Sequence, residues 1–206
     1  MNTTVEVIIQ LRRETGAGVM ECRKALEESQ QDYAKALTLL REAAALKAKK
    51  QTGHDALEGR IELYSHADGR IGVMVEINTE TEFASRSQAF HTFAREIALQ
   101  ITSAAPLYVR DEDIPAQILE ELSQAAVEKA RLAGKPEQII TQITAGVVEK
   151  YLNRTVLLRQ PYIRDETLSV AQLLSQLSGT LGENIVIRRF ARWEINPDGE
   201  APAGRS

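Results

Sequence analysis

Cysteine occurs once in the 206 residues, at Cys22, so no disulfide can close within the chain, and a reducing, cytoplasmic setting is expected. Basic excess is missing too: 25 lysines and arginines stand against 29 acids, for a net charge of −4. General nucleic-acid binders concentrate positive charge to displace counterions from phosphate, so the expected partner is a protein or a small molecule, with no direct nucleic-acid contact. No apolar run approaches the roughly 20 residues that a membrane-spanning helix needs, and the first residues lack the basic-then-apolar order of a secretory signal. No membrane association is expected.

Catalytic patterns are also lacking. The histidines His54, His66 and His91 fall on a linker, a hairpin and a helix without ligand spacing, so no metal site is expected. The run Thr15-Gly16-Ala17-Gly18 has neither the lysine nor the following hydroxyl of a phosphate-binding loop, and no strand precedes it. No Gly-x-Ser-x-Gly elbow occurs. Cys22 shares a helical stripe with Val19 and Leu26, which reads as a small core residue rather than a reactive thiol. The expectation is a binding protein without cofactor and not an enzyme.

What is present is organised. Three helical patterns open the chain: Thr4 to Glu14, ended by Gly16 and Gly18; Val19 to Ser29; and one capped by Asp32 that runs into AAALKAKK. Together with the linker KAKKQTGHDALEG, they define an expected module over residues 1–53. An α+β core is expected over 54–196 and a flexible tail over 197–206. The core opens with a hairpin, Arg60 to His66 and Arg70 to Ile77, around Ala67-Asp68-Gly69. Ser85 with Gln88 reads as a capping box for a helix that continues to Pro106. Helices over Ile114 to Ala133 and Pro136 to Leu152, an extended Thr155 to Ile163, a helix Ser169 to Leu181 and a strand Asn184 to Ile195 complete a small antiparallel sheet covered by helices. The last strand offers an edge on which two copies can pair.

One short stretch resists a purely structural account. EINTETEFASR, Glu76 to Arg86, places two acids and a phenylalanine on the bend between a strand and a helix, where a turn needs only small residues. Phe83 either staples the start of its own helix, with Glu82 favouring the helix dipole, or stands out as a binding element.

Leu11 to Leu26, LRRETGAGVMECRKAL, closely resembles the N-terminal signature of the elongation factor Ts family, the nucleotide exchange factors of elongation factor Tu. The stretch from Glu76 resembles that family's second signature, Glu-aliphatic-Asn-x-Gln/Glu-Thr-Asp-Phe-Val, and the likeness continues through LGENIVIRRFARWE. The resemblance implies a ubiquitin-associated-like three-helix bundle that docks on the GTPase through surface positions Leu11, Arg12, Val19 and Met20. Met20 lies off the Val19, Cys22, Leu26 stripe, and its own pattern allows either exposed surface or bundle core. The resemblance also implies that Thr81, Glu82 and Phe83 form a wedge near the nucleotide's magnesium, and that short members of the family can pair as homodimers. Glu82 stands where the signature has aspartate, Ala84 where valine is usual, and Thr79 where other small residues are common. A helical adaptor that binds another protein without nucleotide exchange is the competing reading, and it accounts for the first module but not for the second signature.

Overall fold

A computed structural model describes residues 4–67 and 69–195; Asp68 of the hairpin turn and the expected tail at 197–206 lie outside the described residues. Three helices come first: α1 (Thr4–Thr15), α2 (Val19–Glu28) and α3 (Tyr33–Gln51). Gly16, at φ +69°, ends α1 in a conformation that side chains with a Cβ rarely adopt. Asp32 caps α3 by accepting a 3.1 Å hydrogen bond from the Lys35 amide. Leu11, Cys22, Ala25, Leu26, Ala36 and Leu40 form the buried centre of this bundle. Burial pushes the Cys22 thiol pKa up, which fits a core residue.

The lysine-rich stretch expected to be a linker is helical. Alanine, leucine and lysine all favour helix, so α3 runs on to Gln51, and Lys47 pairs with Glu21 of α2.

The main body is built on β1 (Glu58–His66), β2 (Ile71–Thr79) and β5 (Val186–Glu194), an antiparallel sheet in the order β1-β2-β5. Its inner face presents Val73, Val75, Ile77 and Ile187 to two helices, α5 (Gln88–Ala104) and α8 (Val170–Leu181). Phe90, Phe93, Ala94, Ile97 and Ile101 of α5 complete that core at the period expected of one helix face. Between β2 and α5 lies a single helical turn, α4 (Glu82–Ser85). The helices α6 (Ala116–Leu132) and α7 (Glu137–Thr155) pack on each other as an antiparallel hairpin. An α+β fold with a small antiparallel sheet covered by helices is the observed class.

Two local expectations change. The cap of α5 is Ser87, whose hydroxyl accepts from the Phe90 amide at 3.2 Å, and Ser85 instead donates its hydroxyl to the Glu82 carbonyl at 2.7 Å. Three hydroxyl residues fall within seven positions here, and spacing alone selects the wrong one. The segment read as extended from Thr155 is the end of α7, a 3-10 turn (Leu157–Arg159) and a two-residue strand, β3 (Pro161–Tyr162), paired with β4 (Asp165–Ser169). Its turn is held by Arg159, which bonds Asp111 of a distant segment at 2.6 Å and Glu149 of the preceding α7 at 2.9 Å.

The bundle sits on the main body chiefly through α3 against α8. Gly179 permits the crossing: a Cβ there would lie 2.9 Å from both the Cα and the carbonyl oxygen of Ala44. Backbone atoms cannot swing away as a side chain end can. Gly179→Val is expected to cost about 1–3 kcal/mol by overpacking, read as a lower urea midpoint with an unchanged slope. An unchanged midpoint would show that the two helices separate without cost.

Candidate functional site

The bend after β2 is built around the Thr81 hydroxyl. Thr81 is extended (φ −125°, ψ 150°), and its Oγ1 accepts from the Ala84 amide at 3.2 Å, which starts α4. One turn then sorts its residues sharply. Ala84 and Ser85 are buried against the body, whereas Phe83 is 87% exposed. A phenylalanine that stapled its own helix would be covered, so the staple reading is excluded for the free protein. Glu82 also points to solvent and pairs with Arg86 one turn on, at 2.5 Å. Exposed pairs of this kind contribute little to stability, so Glu82 is easily released from it.

The bend is braced from a part of the chain about a hundred residues away. Gly182, at φ +72°, ends α8 and turns the chain so that Glu183 reaches under the bend. Glu183 Oε2 accepts from the Thr79 hydroxyl at 2.8 Å and the Thr81 amide at 3.1 Å, while Oε1 accepts from the Thr81 hydroxyl at 2.6 Å. Desolvation alone would raise the Glu183 pKa, but these donors and the Glu80 amide outweigh it and hold the carboxyl below its ordinary range. A depressed pKa keeps the acceptor ionised at neutral pH; its contribution is lost only as pH falls through that lowered value. Beside it, the Asn184 amide donates to Glu80 at 2.5 Å, the Asn184 side chain donates to the His54 carbonyl at 2.7 Å, and His54 Nδ1 lies 3.2 Å from Glu80. None of these residues carries a local signal for this role.

The first module's positions separate. Val19 and Met20 are 50% and 71% exposed at the start of α2, and Arg12 is exposed at the end of α1. Met20 thus lies on the surface rather than in the bundle core, and Val19 does not belong to the buried stripe of Cys22 and Leu26. Leu11, expected at the surface, is fully buried. It faces Cys22 and Leu26 in the bundle centre, because its position on α1 faces the interior while the neighbouring Arg12 turns outward.

The last turn of α8 links the two regions. Thr180 lies over Gly16, where a Cβ would come within 2.8 Å of its hydroxyl, and Gly16 stands just before Val19 and Met20. Three residues later Glu183 grips the bend that bears Phe83. Among the described residues no cluster of His, Cys, Asp or Glu is arranged to hold a metal ion, and no helix is long and apolar enough to cross a membrane.

Phe83→Ala is expected to leave the thermal midpoint unchanged within about 0.5 kcal/mol of stability, since the ring buries almost nothing in the free protein. A clear drop in calorimetry would place the ring in a contact of its own body.

Comparison with known proteins covers the whole of this architecture. The family model described as elongation factor TS matches residues 2–195. The chain is 43% identical to an elongation factor Ts of Coprothermobacter proteolyticus over 95% of its own length and 99% of that protein's. It is 44% identical to the elongation factor Ts of Acetivibrio thermocellus, covering 93% of this chain and 89% of that one. The same identity holds for the elongation factor Ts of Caldanaerobacter subterraneus, with 93% and 96% covered. With both signatures in place and nearly full coverage on each side, the chain belongs to the elongation factor Ts family.

Proposed function

We propose that the protein is a guanine nucleotide exchange factor that binds the GTPase elongation factor Tu in the cytoplasm, promotes release of GDP and is displaced by GTP during translation elongation. The observation that carries this reading is the 87% exposed Phe83 on a braced one-turn helix. A large apolar ring held in water contributes nothing to the free protein, and its transfer into a partner's interior contributes about 1.5–3 kcal/mol. A rigid bend loses little entropy on docking.

In this scheme residues 1–53 anchor the complex through Arg12, Val19 and Met20, with Leu11 supporting that surface from beneath. Residues 54–196 carry the wedge. Thr81 fixes the start of α4, Phe83 enters the GTPase, and Glu82, released from Arg86, brings negative charge and bulk toward the magnesium and phosphate region. No covalent step is involved. Each 1.4 kcal/mol by which the factor disfavours bound nucleotide weakens that nucleotide about tenfold. Coupling is reciprocal, so GDP or GTP must weaken the factor's binding equally, and nucleotide-free elongation factor Tu is the preferred partner. An adaptor without exchange activity has no use for a second exposed element on the far side of the linker.

A homodimer has separate support. The outer face of the sheet exposes Ile61, Leu63, Met74 and Trp193, with Leu63 opposite Met74 and both β1 and β5 at open edges. A two-fold contact would cover the same patch on both copies.

Two measurements test these readings. In stopped-flow release of a fluorescent GDP analogue from elongation factor Tu, the parent should accelerate release strongly, Phe83→Ala should lower the rate at least tenfold, and Met20→Ala should weaken it through the half-saturating concentration. No acceleration by the parent would overturn the exchange reading. Light scattering should give a dimer mass for the parent and a monomer mass for Trp193→Glu; a monomeric parent would overturn the homodimer.

A further inference from the structure

We propose that Glu183 is a positioning residue for the exchange wedge: its carboxylate clamps Thr79 and Thr81 so that Phe83 is held in its outward, binding-ready orientation. The proposal rests on the exchange reading for its consequence in activity, but its structural content stands on the free protein alone.

The geometry is that of a relay. Glu183 takes both donors of Thr81, the amide at 3.1 Å and the hydroxyl at 2.6 Å. That hydroxyl, oriented by its own donation, accepts from the Ala84 amide and so starts the turn that bears Phe83. Thr79, with no exposed surface, supplies a third donor at 2.8 Å from the last position of β2. The clamp therefore spans the strand end and the helix start and bridges the joint between them. Glu183 is itself held in place, because Gly182 sets the chain direction and the Ser178 hydroxyl donates to the Glu183 carbonyl. Its neighbour Asn184 bonds Glu80 and the His54 carbonyl, so all three residues from Thr79 to Thr81 are held by groups of the segment after α8.

A one-turn helix has no stability of its own. Without the clamp, α4 keeps the burial of Ala84 and Ser85 but loses the groups that fix its cap, Thr81. The ring then samples several directions, and only the fraction pointing correctly is competent to dock, which lowers apparent affinity by that fraction. The loss acts wholly through Phe83.

The decisive readouts are amide hydrogen exchange on the free protein and a double-mutant cycle in GDP release from elongation factor Tu. In Glu183→Ala, the Thr81 and Ala84 amides should exchange at least tenfold faster while amides of β1, β2 and β5 keep their rates. Glu183→Gln, which retains one acceptor oxygen, should fall between. In the cycle, Glu183→Ala should slow GDP release about tenfold in the parent background and less than twofold in the Phe83→Ala background. Unchanged exchange at Thr81 and Ala84 would overturn the clamp, and so would an equal loss of activity in both backgrounds. If the parent itself fails to accelerate GDP release, the exchange reading falls, while hydrogen exchange still decides the clamp.

Discussion

The close crossing of α3 and α8 at Ala44 and Gly179 is the constraint on which the arrangement of this protein depends. Three helices with a small centre of their own are placed on a sheet-and-helix body, and this crossing is the main contact that sets their orientation. Once α8 is fixed against α3, its last turn meets both regions of interest. Thr180 lies over the glycine turn before Val19 and Met20, and Glu183 reaches the bend before Phe83. Two exposed elements from separate parts of the chain are thereby held on one framework.

The bend shows how a chain can expose a large apolar ring without losing stability. Its neighbours Ala84 and Ser85 are buried, its first residue is hydrogen-bonded to a distant carboxylate, and its acid is paired on the surface. Burial is concentrated in the small side chains and hydrogen bonding in the threonine and serine hydroxyls and the backbone amides, leaving Phe83 uninvolved in the fold. A side chain with no structural duty is free to serve a partner. The longer side chain of Glu82, compared with the aspartate of the signature, is accommodated by the same design, since Arg86 meets it in solvent rather than in a packed site.

Much of the fold was legible because it rests on short-range chemistry. Gly16 as a stop, Asp32 as a cap, and the alternation on either side of the Ala67 to Gly69 turn all act within a few residues of themselves. Errors arose where several local solutions competed. Ser85 and Ser87 both suit a cap, and only the packing of Ala84 and Ser85 under the bend assigns the role to Ser87. Residues 155–163 carry β-branched and apolar side chains that suit a strand, yet Arg159 finds Asp111 and Glu149, and the chain coils around that contact instead. Leu11 and Arg12 are adjacent in one signature, and their opposite fates follow from helix phase within a bundle whose centre is not written in either residue.

By itself the sequence determined the helices of the first module, the hairpin, the family signatures and the unusual content of the bend, because propensity, capping and periodicity are properties of neighbouring residues. Tertiary structure alone decided that Phe83 and Met20 face water, that Leu11 does not, and that Glu183 holds Thr79 and Thr81. Those facts depend on which distant groups share a volume. A carboxylate 102 residues from its partner amide carries no local mark of the bond it makes until α8 has been packed beside the sheet.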